Sequence, residues 1–366
     1  MSARTRLRTA AVALALVATA GSSALLTACG PVADTGSEAA PATPGARSAS
    51  PGPAGSPGPA GTTAPVSPLG LTATTPSTAA PAGTGAPGTA PAVADGTAHS
   101  ALTISNGTRY VLMNGTSVDF GTAVRDLAWS PDGARAAFIT GSGDLATANP
   151  DGSGRVVVAR NPGGQTWSHP TWQVAPAAGE YQLPAKNNLI FAAAKDGVTR
   201  LKRVTATAAG AVPADLALGT YADENAKPLP ETGNTWPSAG GTYGTAVYAN
   251  TGTGEVYIRD EYLRQQGSAL TPGSQPALSP DGEDIVFVRA VDGHDHIFAL
   301  TDHGSRSKDL TPHATTDYTE PVFSPDGRTI AVRTPSGIAT LPADGSAAPT
   351  VVSGHPGLPA YRGGHR

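Results

Sequence analysis

From residue 98 onward, apolar residues fall in short alternating runs, each stopped by glycine, proline, asparagine or aspartate. Runs of this length and period match half-buried strands, not helices. ALTIS, TRYVLM and TSVDF come first, and Asn106-Gly107 and Asn114-Gly115 separate them. Asn-Gly is the strongest short hairpin signal, so 98–120 reads as two hairpins. Both pairs also open N-x-T sequons, but the turn role carries more weight.

One phrase then recurs: Arg125–Ile139 (RDLAWSPDGARAAFI), Gln275–Val288 (QPALSPDGEDIVFV) and Thr319–Val332 (TEPVFSPDGRTIAV). In each, a strand runs into Ser-Pro-Asp-Gly and a second strand leaves it. Proline presets the first central φ of a type I turn, aspartate caps nearby backbone N–H groups, and glycine takes the positive φ that follows. Asp132, Asp281 and Asp326 therefore read as turn caps rather than as a catalytic or metal-binding set. Two degenerate copies fit at His169-Pro170-Thr171-Trp172, ahead of Asn188–Ala193, and at Trp236-Pro237, ahead of Gly244–Ala249. A weak sixth lies at Leu358–Gly364. Aligned three residues before the turn serine, the copies stand 38 to 45 residues apart, except for one gap of 67. An insert near 173–187 and a loop near 208–234 fill that gap.

Further extended runs follow each pair, such as Glu255–Arg259, Ile297–Leu300 and Ile338–Leu341, and no convincing amphipathic helix is present. The expected fold is all-β, a β-propeller of six four-stranded blades. The last copy has no strands after it and the first hairpins have no inner strand before them. Pairing the N-terminal strands with a C-terminal strand closes the ring and removes the open sheet edges.

The chain before residue 98 differs. Residues 1–28 read as a lipoprotein signal peptide, with basic MSARTRLR and an apolar stretch Ala10–Leu26 too short for a confident span. Leu26-Thr27-Ala28-Cys29 resembles a bacterial lipobox, and Cys29, the single cysteine, stands where acylation occurs. Gly30 follows it, where an inner-membrane retention signal would carry aspartate. Residues 29–97 form an Ala/Gly/Pro/Ser/Thr-rich linker with no charge between Arg47 and Asp95. Such a tract cannot bury enough apolar surface to fold. As a flexible coil it spans about 45 Å r.m.s.. Gly52, Gly55, Gly58 and Gly61 keep a collagen-like spacing over too few triplets to hold a triple helix. The propeller occupies 98–362 and a flexible tail 363–366.

Formal net charge is −4, and removing a leader that carries only Arg4, Arg6 and Arg8 takes it to −7. An acidic chain without a basic stripe argues against nucleic acid as partner. A single cysteine forms no internal disulfide, and no cofactor motif occurs.

The pattern PxxSPDGxxIxF with a later Leu-Thr resembles the TolB-type propeller repeat over about residues 99–362. The resemblance implies a binding scaffold of the bacterial envelope, outside the cytoplasm. The family's extra N-terminal α/β domain is not matched here; lipobox and linker stand in its place. Prolyl-oligopeptidase-like enzymes carry related propellers beside a hydrolase domain, whose G-x-S-x-G elbow is missing from this sequence.

In a propeller the SPDG turns lie on one face and the loops into the inner strands on the other. The residue before each anchor is then expected at the channel mouth: Asp126, His169, Trp236, Gln275, Glu320 and Leu358, with Arg125, Trp167 and Tyr318 as neighbours. Acid, imidazole, indole and amide together suit a peptide loop or polar ligand, from an envelope protein or a cell-wall component. His169 and Glu320 also supply an acid/base pair for a lyase or hydrolase acting on a polysaccharide or peptide. The loop 208–234, with Tyr221, Asp223, Glu224 and Lys227, is expected to overhang the same face. His294 and His296 are weak metal candidates with His303 nearby, since alternation puts the first two on one strand face.

Overall fold

The computed structural model describes residues 95–219, 228–261, 266–301 and 306–364. The signal segment, Cys29 and nearly all of the linker lie outside them. The described residues form six four-stranded antiparallel sheets. The first is β1 (Leu102–Ser105), β2 (Tyr110–Met113) and β3 (Thr116–Asp119), completed on its inner edge by β24 (Leu358–Tyr361). The second holds β4 (Arg125–Trp129), β5 (Ala136–Ile139), β6 (Leu145–Ala148) and β7 (Val156–Ala159). The third holds β8 (Thr166–Ala175), β9 (Lys186–Lys195), β10 (Val198–Thr205) and β11 (Ala214–Asp215). The fourth holds β12 (Asn234–Gly240), β13 (Thr245–Asn250), β14 (Glu255–Arg259) and β15 (Gly267–Pro272). The fifth holds β16 (Ser274–Leu278), β17 (Ile285–Val291), β18 (His294–Thr301) and β19 (Arg306–Asp309). The sixth holds β20 (Thr319–Phe323), β21 (Thr329–Thr334), β22 (Gly337–Pro342) and β23 (Thr350–Ser353).

The inner strands touch in the order β24, β4, β8, β12, β16, β20 and back to β24, so the sheets are the blades of a closed six-bladed propeller. Closure is the expected one: β1 pairs with β24 from Leu102↔Tyr361 to Ser105↔Leu358. The insert expected near 173–187 is partly strand. β8 and β9 run on together to Ala175↔Lys186, and the tip holds a 3-10 turn at Gly179–Tyr181.

Each SPDG turn closes the same way. The Ser130, Ser279 and Ser324 hydroxyls donate to Asp132, Asp281 and Asp326 at 2.5, 2.5 and 2.6 Å. The same hydroxyls accept the N–H groups of Arg135, Asp284 and Thr329 at 2.8–3.0 Å. The aspartates accept the N–H groups of Ala134, Glu283 and Arg328, and the turn glycines hold φ of 66°, 83° and 71°. Gly133 is further constrained, because a Cβ there would strike the Gly363 carbonyl that packs beneath the turn.

The core is distributed. Six apolar clusters sit one at each interface between neighbouring blades. Each strand layer alternates residues between the interface in front and the one behind, so no blade buries its apolar faces alone. The interface between blades one and six rests on Leu102, Ile104, Ala331 and Ile338. Ile104→Ala should cost about 2–5 kcal/mol, lowering the thermal midpoint by about 2–4 °C for each kcal/mol in a domain of this size. Thermal unfolding followed by circular dichroism reads the shift; an unchanged midpoint would show that blade closure does not limit stability.

Candidate functional site

A backbone irregularity recurs at the start of five inner strands. In blade two the ladder passes from Arg125↔Ile139 to Ala128↔Ala137, so two residues of β4 oppose one of β5. The same skip falls between Ser168 and Thr171, Thr235 and Ser238, Ser274 and Ala277, and Thr319 and Val322. Each is a β-bulge. Its first residue adopts a left-handed conformation: Asp126, His169, Trp236, Gln275 and Glu320 have φ of 54°, 50°, 48°, 47° and 51°. Non-glycine residues seldom occupy this region. Proline follows in four of the five, where the bulge leaves an inner position that needs no N–H donor. β24 runs without a skip, and Leu358 stands at its start.

The bulges aim all five side chains at the channel. They line one cavity of about 710 Å³, together with Leu358 and the inner-strand residues beneath. Asp126 Oδ2 accepts the His169 N–H at 3.2 Å, and Gln275 Oε1 accepts the Glu320 N–H at 2.7 Å. Each of these side chains therefore latches the bulged backbone of the next blade. Thr171 and Ser238 do the same one layer down, accepting the N–H groups of Ala239 and Leu278 at 3.1 Å. These lower positions were not singled out from sequence, although the period of two from the rim residue locates them.

The other contacts cross the channel. Blades three and six lie opposite each other in the ring, and His169 Nε2 stands 3.4 Å from Glu320 Oε1. Trp236 Nε1 donates to the same oxygen at 3.4 Å, and the indole lies 5.5 Å from the imidazole, tilted by 59°. His169 and Glu320 side chains are 23% and 22% exposed, so their charges interact with little water between them. Burial alone would drive the His169 pKa down, but the Glu320 carboxylate and then Asp126 outweigh it, and the net shift is upward. Burial likewise opposes ionisation of Glu320, yet His169, Trp236 and Arg333 hold its pKa below the ordinary value. The His169 Nδ1 atom is buried without a hydrogen-bond partner.

Several residues expected at the mouth lie elsewhere. Trp167 is 2% exposed and packs on Phe191 in the interface core of blades two and three. Two residues before His169 along the strand, it points into the protein rather than to the rim. Tyr318 packs against the core between blades five and six, and neither it nor Arg125 lines the cavity. The described part of loop 208–234 does not overhang the channel. Leu216 and Leu218 are buried between blades three and four, because an apolar pair there completes an interface that the two-residue β11 leaves short. Tyr221, Asp223, Glu224 and Lys227 lie outside the described residues, as does His303. His294 and His296 have separate partners, Asp317 at 3.3 Å and Asp309 at 2.9 Å. Among the described residues no group of three or more His, Cys, Asp or Glu is placed to hold a metal.

Fold and mouth together define a six-bladed propeller with a polar and aromatic ring closing one end of its channel. No family model matches the chain, and no curated protein matches it in sequence. Solved structures do. A putative TolB from Agrobacterium tumefaciens is 17% identical, over 67% of this chain and 86% of that one, with a TM-score of 0.46. TolB from Acinetobacter baumannii is 16% identical, over 71% and 65%, with a TM-score of 0.47. A chain of a nidogen/laminin complex is 10% identical, over 71% and 97%, with a TM-score of 0.50. At these identities the likeness is one of fold alone, a β-propeller.

The paired shifts predict a pH signature. The raised His169 pKa contributes stability that is full below about 6.5 and is lost as pH rises through the folded value. The lowered Glu320 pKa contributes stability present above about 4.5 and lost as pH falls through its folded value. Both act together between pH 4.5 and 6.5, the ordinary values of the two groups. The thermal midpoint of the native chain should exceed that of Glu320→Gln most in this window, with the gap narrowing towards pH 8. A gap independent of pH would mean that the contact carries no net charge coupling.

Proposed function

We propose that the protein is a lipid-anchored binding scaffold of the bacterial envelope, with its binding site at the channel mouth. The observation that carries this reading is the fivefold convergence of Asp126, His169, Trp236, Gln275 and Glu320 on one cavity through repeated bulges. Convergent polar and aromatic groups around a preformed concavity are the common form of a recognition site. The TolB-type resemblance of the repeats supports a protein partner or cell-wall component. The lipobox at Cys29 and the linker behind it support attachment to the membrane by acyl chains, outside the cytoplasm. On this reading the linker lets the propeller reach its partner from a fixed anchor.

Cross-linking in envelope membranes followed by affinity capture should recover a partner with the native chain. A His169→Ala, Trp236→Ala, Glu320→Ala variant that keeps its fold should lose it. Equal capture by both would remove the mouth from the reading, and no capture by either would remove the scaffold. Cys29→Ser should move the protein from the membrane fraction to the soluble one. A variant still in the membrane fraction would rule out acyl attachment as the anchor.

One observation favours a second reading, an envelope lyase or hydrolase acting on a polysaccharide or peptide. The cross-channel contact places an imidazole with a free Nδ1 beside a carboxylate in a cavity, which is the composition of an acid/base pair. Turnover of cell-wall polysaccharide or peptide by the native chain, abolished in His169→Ala and in Glu320→Gln, would establish it. Turnover unchanged in both would remove these assignments.

A further inference from the structure

We infer that the channel mouth receives a basic side chain, lysine or arginine, presented by a polypeptide partner. This rests on the scaffold reading and names the chemistry that reading leaves open.

The charge of the cavity is one-sided. At the mouth its lining includes the acids Asp126 and Glu320, and among the described residues it includes no lysine or arginine. Asp326, in an SPDG turn at the other end, already accepts the Ser324 hydroxyl and the Arg328 N–H. Arg333 influences Glu320 from β21 but does not line the cavity. Among the described residues His169 is the one lining side chain able to carry positive charge, and Glu320 already faces it.

Glu320 is also loosely satisfied. Both of its side-chain contacts fall on Oε1, and both are 3.4 Å long. A charge-assisted hydrogen bond to a carboxylate is about 2.7–2.9 Å. A half-buried carboxylate with two long contacts is under-compensated for the water it has lost. An ammonium or guanidinium group makes the short contacts that His169 and Trp236 do not. The Trp236 indole is half-buried beside Glu320, where its face adds a cation–π term.

The walls below suit the stem of such a side chain. Pro170, Pro237, Pro276, Pro321 and Pro359 line the cavity, with small residues between them. Lysine and arginine lay their methylene stems along apolar surface while the charged head seeks polar partners. A metal ion is less suited, since no group of three ligating side chains is assembled among the described residues. Free amines such as putrescine share the head-group chemistry but bring no peptide backbone for the half-buried Gln275 at the rim.

The test is a titration of intrinsic tryptophan fluorescence in the full chain. The probes are the capped tripeptides Ac-Ala-Lys-Ala-NH2 and Ac-Ala-Arg-Ala-NH2, their glutamate and acetyl-lysine counterparts, and putrescine. At least one basic peptide should give a saturable response, and the glutamate and acetyl-lysine peptides none. Glu320→Gln should weaken the basic peptide at least about tenfold, the equivalent of one lost charge-assisted hydrogen bond. Trp236→Phe should mute the signal, with thermal midpoints confirming that both variants fold. The inference is overturned by no saturable response to either basic peptide, by an equal response to the glutamate peptide, or by putrescine binding more tightly than both peptides. If envelope capture persists while the basic peptides fail, this inference falls and the scaffold reading stands. If the peptides bind while capture fails, the basic-side-chain site stands and the scaffold reading falls.

Discussion

The mouth depends on a backbone constraint, the left-handed residue that opens five of the inner strands. Holding a non-glycine residue there costs about 1–3 kcal/mol apiece unless the surroundings compensate. Two local devices compensate. Proline after four of the five removes an N–H that the bulge would otherwise leave buried and unpaired. A neighbouring blade supplies an acceptor for the strained residue's own N–H at His169 and Glu320. Because the bulge adds one residue to one strand, it also turns the side chain out of the ordinary up-and-down alternation. That turn aims it at the axis.

The rest of the ring makes the constraint sustainable. No blade has a private core; each apolar face is buried only when its neighbour is present. Releasing one bulge therefore means loosening the interface on either side of it. The closing pair β1–β24 makes this mutual dependence circular, since the chain's two ends meet within one blade. The strain at each inner strand is thus spread over a closed set of interfaces rather than held by one.

Much of this was legible in the sequence, and the boundary of legibility has a physical cause. SPDG announced its turns because proline, aspartate and glycine act through local backbone preference. Asn-Gly announced the hairpins for the same reason. Blade spacing and ring closure followed from counting those signals. The residue before each anchor was also identifiable, but not its conformation: a bulge is a mismatch between two strands, and one strand's residues do not encode its partner's register. Nearness in sequence set Trp167 with His169 at the mouth, whereas the indole lies in the core. The His169–Glu320 contact joins positions 151 apart, and only ring closure by six blades makes them opposite. The described part of the loop near 208–234 departs from its expected place for another reason. Its Leu216 and Leu218 were needed to finish a blade interface, a demand set by neighbouring strands.

The ring position is not uniform in what it does, and the difference separates architecture from recognition. Asp126 and Gln275 are acceptors for the next blade's backbone, so the fold itself uses them. Leu358 occupies the same level in blade one, on a strand without a bulge, and the ring still closes. A charged or aromatic group at this level is therefore not a requirement of closure. His169, Trp236 and Glu320 reach across the channel and meet at one carboxylate oxygen through long contacts. Structural hydrogen bonds in the same ring are shorter, 2.7 Å at Gln275 and 3.1 Å at Thr171 and Ser238. Groups that serve only the fold are drawn into close contact as it packs. The cross-channel trio is buried enough to feel its charges strongly, yet not tightly enough joined to satisfy them. That incomplete satisfaction, at the centre of a preformed cavity, is the physical property that fits it to hold something else.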